Sequence, residues 1–366
     1  MSRAKLELVA LKKEYDNGNV VAVDEIDLHI QQGETLALLG SSGCGKSTTL
    51  NMIVGLEYPT SGDILIDGQS IISTPPGQRN VGLVFQDYAV FSSMTVRKNL
   101  AFGLEVRNKR KDIVARAVDE VAELLDMKDK LDVSARELGG SELQRVAIGR
   151  TLVTKPEILL LDEPLSNLEA AARLAMRKEL RRLQSEIGLT IIYVTHDQVE
   201  ALSLANRIAV MNNGKILQAE ETTKICERPD HTFVAGFLGS PPMNLIQGNF
   251  RTGDSTILFE KNSFEIPVTF ATTTPSFPDG RFTLGIRPEE IKLVDPTTAQ
   301  THGTVVLTEP RGPETIVTIR SNSVDLKAVA PSTTEVIEGD KVGIHVDPQT
   351  LVYFNNDTNR CVDLSF

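Results

Sequence analysis

The sequence predicts an α/β domain built on a parallel sheet, followed by a smaller all-β domain. Three observations carry this. Short apolar runs alternate with helix-patterned stretches through the first part of the chain, as they do in parallel α/β folds. A glycine-rich turn, Gly40-Ser-Ser-Gly-Cys-Gly-Lys-Ser47, lies between one such run and one such helix. Beyond about Gly236 the composition shifts to Thr, Val, Ile, Phe, Pro and Gly with few long helical stretches.

The elements follow in order. Thr35-Leu-Ala-Leu-Leu39 is a buried strand, and Lys46 to Leu56 a helix ending near Gly55. Asn80 to Phe85 is a second strand. From Lys111 to Met127 the apolar residues Ile113, Val114, Ala117, Val118, Val121, Leu124 and Leu125 recur at helical spacing. Ile158-Leu-Leu-Leu-Asp162 and Thr190 to Thr195 are further buried strands, separated by a helix over about Ala170 to Ile187. Asn212-Asn213-Gly214 joins Arg207–Met211 to Lys215–Ala219 as a hairpin. Ser240-Pro-Pro242 then breaks the pattern, placing a boundary at residues 236–242. Thr304–Leu307, Thr315–Ile319 and Lys341–Val346 read as short strands of a β-barrel or sandwich.

Bulk properties narrow the function. A chain of 366 residues holds two domains at roughly 150 residues each. A net charge of -11 argues against a general nucleic-acid binder. Cys44, Cys226 and Cys361 are too few and too scattered for a disulfide framework or zinc site, which fits a reducing compartment. Met1 to Leu11 carries Lys and Glu and lacks a signal-peptide core. No apolar run approaches the roughly 20 residues that cross a bilayer, so any membrane role comes through a partner.

The glycine-rich turn fits G-x-x-x-x-G-K-[ST] in the required strand–turn–helix context. Its glycines let successive backbone N–H groups face phosphate oxygens, and the following helix adds its positive end. Lys46 then reaches the β- and γ-phosphates of a nucleotide and the Ser47 hydroxyl ligates Mg²⁺. Asp162 and Glu163 close the strand Ile158–Asp162. Two adjacent carboxylates repel unless a cation or proton intervenes, which suits a Mg²⁺–nucleotide site. Asp162 holds the metal through water, and Glu163 orients or deprotonates the attacking water.

Taken with Val84-Phe85-Gln86, Gln144-Arg-Val-Ala147, Ser166-Asn-Leu168 and Val194-Thr-His196-Asp197, these motifs resemble the ABC ATPases over nearly the whole chain. Ile148-Gly-Arg-Thr-Leu152, Phe233-Val-Ala-Gly-Phe237 and Gly285-Ile-Arg-Pro-Glu289 narrow the resemblance to the maltose and glycerol-3-phosphate importer ATPases. That resemblance implies a P-loop ABC-type nucleotide-binding domain, residues 1–236, with a helical subdomain at about 88–155. It also implies a C-terminal all-β, OB-like regulatory domain at 237–366. ATP and Mg²⁺ are the implied cofactors. ATP is held by Tyr15, stacking on adenine, by Gly40, Ser41, Ser42, Gly43, Cys44, Gly45, Lys46, Ser47 and Thr48, and by Gln86. Mg²⁺ is held by Ser47, Gln86 and Asp162, and catalysis rests on Glu163, His196 and Lys46. The implied partners are a second copy or close paralogue, two transmembrane permease subunits and an external solute-binding protein. The place of work is the cytoplasmic face of the inner membrane, and the solute a sugar, polyol or glycerol-phosphate-like compound. A soluble ABC protein of translation or repair would carry tandem ATPase domains or a coiled-coil insertion, neither of which is visible.

The resemblance breaks in one place. The family signature Leu-Ser-Gly-Gly-Gln acts in trans on the partner's γ-phosphate, and here Leu138 is followed by Gly139, Gly140, Ser141 and Glu142. Gln144-Arg-Val-Ala147 stays in register, so a deletion does not explain it. Ser141 and Gln144 have capping-box spacing, which lets Ser141 cap the helix itself. Glu142 then sits in the first turn and offsets part of its positive end. Glu169 replaces the family's Asp, and Val133 stands where relatives often carry a basic residue. Phe91-Ser92-Ser93 replaces a Tyr-Pro-His. Two readings remain open: an importer ATPase whose glycine-rich backbone tolerates the change, or an ATP-binding, hydrolysis-impaired protein with a regulatory or scaffold role.

Overall fold

The chain opens with two long strands, β1 (Leu6–Tyr15) and β2 (Val20–Ile30), paired antiparallel from Leu6↔Ile30 to Tyr15↔Val20. Ala10 and Glu25 take left-handed backbone angles beside register shifts in this pair, so period-2 alternation is interrupted. β3 (Thr35–Leu39) follows, every residue buried. The glycine-rich turn leads into α1 (Lys46–Val54), which ends at Gly55 with φ 90°. Such a left-handed residue past the last turn is a common helix stop. β4 (Ser61–Ile66) and β5 (Gln69–Ser70) return to the first strands, making a sheet of order β2-β1-β4-β5.

β6 (Val81–Val84) precedes three helices, α2 (Val96–Val106), α3 (Lys111–Leu124) and α4 (Gly140–Leu152). The chain then alternates through β7 (Ile158–Asp162), α5 (Ala170–Ile187), β8 (Thr190–Thr195), α6 (Gln198–Leu204), β9 (Arg207–Asn212) and β10 (Lys215–Glu221). The second sheet has the order β10-β9-β3-β8-β7-β6, parallel from β9 to β6, with β10 antiparallel at its edge. Both faces are covered. Ile158 and Leu160 join one apolar cluster with Leu50 and Ile53 of α1, while Leu159 and Leu161 join another with Val96, Leu100 and Val118. That two-sided burial explains why these strands read as unbroken apolar runs. Leu39 pairs with Thr195 and Asp162 with Val194, so the carboxyl ends of β3, β7 and β8 stand side by side, where α/β sheets bind ligands.

The second compact unit starts at Thr223, a short way before the composition break that the sequence shows at 236–242. Two helices, α7 (Thr222–Glu227) and α8 (Thr232–Phe237), lie in that interval. Ala235 of α8 packs with Met243 and Phe354, which draws the helix into the second unit. The rest is antiparallel: β11 (Asn244–Thr252), β12 (Ile257–Lys261), β13 (Phe264–Val268), β14 (Phe282–Ile286) and β15 (Lys292–Val294), then β16 (Thr301–Arg311), β17 (Glu314–Ser321), β18 (Val324–Pro331), β19 (Lys341–His345) and β20 (Val352–Asn355). They form sheets of order β13-β12-β11-β14-β20 and β15-β19-β16-β17-β18, sharing a core that includes Phe259, Phe282, Leu284, Val317 and Leu326. The computed structural model describes residues 4–252, 257–261, 264–268, 281–299 and 301–362; the outermost ends of both expected domains, and parts of the second, lie outside that set. No helix among the described residues is long and apolar enough to cross a membrane.

Candidate functional site

The phosphate loop is pinned from outside. The Gly214 N–H bonds the Cys44 carbonyl at 3.0 Å, and the Asp24 N–H bonds the Gly214 carbonyl at 2.9 Å. Thr49 Oγ1 donates to the Gly45 carbonyl at 2.9 Å. Gly45 has φ 109°, and a Cβ there would stand 2.3 Å from the Ala22 carbonyl oxygen. A Cβ on Gly40 would stand 2.2 Å from that of Met211. Any side chain at either position displaces backbone, so the pattern's glycines are steric requirements here. Lys46 is 5% exposed and donates to the Gly40 and Ser41 carbonyls, each at 2.8 Å. Its third N–H faces Cys44 Sγ at 3.8 Å, a weak acceptor that a phosphate oxygen can replace at the mouth of the loop. Ser41, Ser42 and Gly43 are exposed around it.

The acids stand opposite. Ser47 Oγ lies 3.3 Å from Asp162 Oδ1, joining the loop to the end of β7. Burial pushes the Asp162 carboxyl up; the Ser47 hydroxyl lowers it, the Glu163 charge raises it and Lys46 lowers it. Glu163 adopts a left-handed backbone, φ 44°, while its N–H bonds the Val194 carbonyl at 3.0 Å. Such a conformation in a non-glycine residue is held against its preference, and such residues cluster at functional sites. Here it aims the carboxylate at the exposed His196, whose Nδ1 lies 3.1 Å from Glu163 Oε2. No group of three or more His, Cys, Asp or Glu side chains able to hold a metal exists among the described residues. One hydroxyl and one carboxylate instead suit Mg²⁺, which keeps several waters and shares phosphate oxygens.

Gln86, just past β6, joins the same neighbourhood. Its Nε2 lies 3.4 Å from Ser166 Oγ, and its carbonyl accepts from Asn167 Nδ2 at 2.9 Å. Ser166 Oγ donates to the Glu163 carbonyl at 2.9 Å. The structure thus brings Lys46, Ser47, Gln86, Asp162, Glu163 and His196 around the adjacent ends of four strands, β3, β8, β7 and β6. Tyr15 closes β1 with Lys13 Nζ 4.9 Å above its ring; no hydrogen bond among the described residues ties it to that group.

The signature segment differs from expectation. Gly139, not Ser141, occupies the helix cap position, and α4 begins at Gly140. The reason is local: Glu142 sits three residues after Gly139, and its Oε2 accepts from the Gly139 N–H at 3.0 Å. Its Oε1 lies 3.5 Å from Lys130 Nζ. Ser141 is left in the first turn without a capping role. Glu169 stands at the cap of α5 without a side-chain cap bond. Val133 packs half-buried against the helical core. Phe91 packs edge-on to Phe102 at 4.6 Å and lies under the Arg150 guanidinium at 4.3 Å.

Arg79 belongs to no motif in the sequence. It is 5% exposed, and its Nη1 donates to the Met52 and Ile53 carbonyls at 2.8 and 3.0 Å, its Nε to Thr74 at 2.8 Å. A cation thereby closes the carboxyl end of the phosphate-loop helix, which has no basic residue in its own last turn. Only its proximity to Gly55 in space, not in sequence, reveals it.

Comparison with known proteins agrees with this geometry. Residues 23–166 match the ABC transporter family, residues 239–291 the MalK OB fold domain and residues 284–354 the TOBE domain. The chain is 41% identical over 361 residues to a trehalose/maltose import ATP-binding protein, MalK, of Thermococcus litoralis, covering 94% of this chain and 96% of that relative. It is 40% identical over 350 residues to the maltose/maltodextrin import ATP-binding protein MalK of Vibrio cholerae, 94% and 93% of the two. It is 40% identical over 364 residues to the sn-glycerol-3-phosphate import ATP-binding protein UgpC 2 of Rhizobium johnstonii, 98% and 100% of the two. Among solved structures it resembles cbiO1 from Clostridium perfringens, part of an ABC transporter complex, with a TM-score of 0.57 and 29% identity over 61% of this chain and 91% of that one. A phosphate loop, paired acids and histidine on three strand ends, in a chain that aligns end to end with import ATPases, place this protein in the ABC transporter family as an ATP-binding, ATP-hydrolysing import subunit.

Proposed function

We propose that the chain binds MgATP in the Gly40–Thr48 loop with Tyr15 against the base, and hydrolyses it through Glu163 and His196. The observation that carries this is the left-handed turn at Glu163, which faces its carboxylate to His196 one strand from the Ser47–Asp162 contact. Ser47 and Asp162, with Gln86 nearby, are the groups that would hold Mg²⁺; when bound, the ion supplies neutralising charge to the phosphates. Lys46 steadies the β- and γ-phosphates from within the loop. Glu163 accepts the proton of the attacking water or aligns it, and His196 orients Glu163 and the terminal phosphate. Two copies close face to face, the Gly139–Glu142 segment of each completing the other's site. The proposed setting is the cytoplasmic face of the inner membrane, with two permease subunits and an external solute-binding protein, driving uptake of a sugar, polyol or glycerol phosphate. The names of the relatives support that solute class.

The test is Glu163→Gln beside the unaltered chain. Equal MgATP binding with turnover reduced by about a hundredfold or more, some 2.7 kcal/mol in barrier, supports the assignment. Undiminished turnover removes it. A second reading, a binding-competent but hydrolysis-impaired protein, is favoured by one contact: the Glu142 carboxylate holds the Gly139 N–H that a partner's phosphate would otherwise meet. Comparing Gly139→Ser/Ser141→Gly/Glu142→Gln with the unaltered chain decides it, since only an impaired signature gains turnover on repair.

A further inference from the structure

Between the Ser166–Leu168 loop and the end of β8 lies a cavity of about 80 Å³, lined among others by Glu163, Ser166, Arg173, His196, Asp197 and Glu200. Its polar groups are arranged around one guanidinium. Arg173, in the first turn of α5, donates from Nη2 to the Leu168 carbonyl at 3.1 Å. Its Nη1 lies 3.8 Å from Asp197 Oδ2 and its Nε 3.8 Å from Glu200 Oε1. Glu200 is 3% exposed, and its Oε2 accepts from Tyr193 Oη and Thr195 Oγ1, each at 2.9 Å. A carboxylate this buried needs a cation, and Arg173 is the one within 4 Å among the described residues. Arg173 Nε is itself buried without a hydrogen-bond partner; at 3.8 Å, Glu200 is beyond bonding length.

Both ends of this link reach the reacting groups. Leu168 closes the loop that starts at Glu163, whose carbonyl accepts from Ser166 Oγ. His196 is flanked by Thr195, bonded to Glu200, and by Asp197, whose N–H bonds Thr195 Oγ1 at 2.9 Å. The circuit runs from Glu163 through the loop, the guanidinium and the buried carboxylate to Thr195–Asp197, then back through His196. We infer that Arg173 is a positioning residue for hydrolysis: with Glu200 and Asp197 as counter-charges, it holds the Ser166–Leu168 loop in register with His196, so that movement of the loop moves His196 against Glu163. This rests on the reading of Glu163 and His196 as the groups acting on ATP. Arginine suits the task because its planar fork addresses a carbonyl and two carboxylates at once, which a lysine ammonium does not.

The test measures MgATP turnover, nucleotide Kd and melting temperature for Arg173→Met, Arg173→Lys, Glu200→Gln and the Arg173→Met/Glu200→Gln pair, with His196→Ala as reference. Arg173→Met is expected to lower kcat about tenfold or more with the MgATP Kd within about twofold, and Arg173→Lys to recover part of the loss. The pair falls no further than Arg173→Met alone, because both changes break one link. An Arg173→Met kcat within about twofold of the unaltered chain, a loss carried by Kd, or additive losses in the pair each overturn the inference. If Arg173→Met melts below the assay temperature, Arg173→Lys decides: a kcat lowered about threefold or more at constant Kd supports the link, and an unaltered kcat overturns it. His196→Ala without effect removes the catalytic reading and this inference together. A crippled His196→Ala beside an active Arg173→Met removes only the inference.

Discussion

Asp162 carries a cost that its site explains. Burial raises its pKa above 3.8 in the folded chain, so the folded state holds its proton to higher pH than the unfolded state. With more protons bound in the folded state, stability falls as pH rises through that window, and at neutral pH the ionised carboxylate is destabilising. Asp162→Asn should therefore raise the melting temperature of the nucleotide-free protein at pH 7, the gain shrinking toward acid pH, and abolish the extra stabilisation by MgATP. A lower melting temperature at pH 7 contradicts this. Gly45 gives the opposite case. Gly45→Ala puts a methyl within 2.3 Å of the Ala22 carbonyl at φ 109°, and should lower stability by about 1–3 kcal/mol together with nucleotide affinity; urea titration and equilibrium binding check both.

At the scale of elements, α1 depends on a residue far from it in sequence. Arg79 gives charged hydrogen bonds to the Met52 and Ile53 carbonyls, each worth about 1.5–3 kcal/mol when one partner is lost. Arg79→Ala should destabilise the protein by about 2–4 kcal/mol and weaken nucleotide binding through α1; an unchanged urea midpoint would show the cap to be inert. The signature is an element question too. In Gly139→Ser/Ser141→Gly/Glu142→Gln the carboxylate that offsets the positive end of α4 is gone. Turnover rising about tenfold or more marks the Glu142 contact as inhibitory, and an unchanged rate marks it as tolerated.

These elements also show what a sequence conveys. The strands β3, β7 and β8 and the phosphate loop were legible because two-sided burial writes continuous apolar runs and the loop's chemistry is contiguous. β1 and β2 were not, since their bulges at Ala10 and Glu25 break the alternation that marks a strand. Arg79, Arg173 and Glu200 stayed hidden because each acts on groups whose nearness only the fold creates. The cap of α4 is ambiguous in the sequence because Ser141–Gln144 and Gly139–Glu142 share one spacing, and in the structure the glutamate side chain makes the bond.

In the whole molecule, the proposed function requires that two copies hydrolyse MgATP together, each completing the other's site. A single chain holds the loop, acids and histidine on adjacent strand ends, while the Gly139–Glu142 segment makes no hydrogen bond with them among the described residues. The most direct measurement is MgATP turnover per chain as a function of protein concentration. The expected rate rises with concentration and saturates as pairs form. Turnover per chain that is independent of concentration down to the lowest measurable protein level would contradict it.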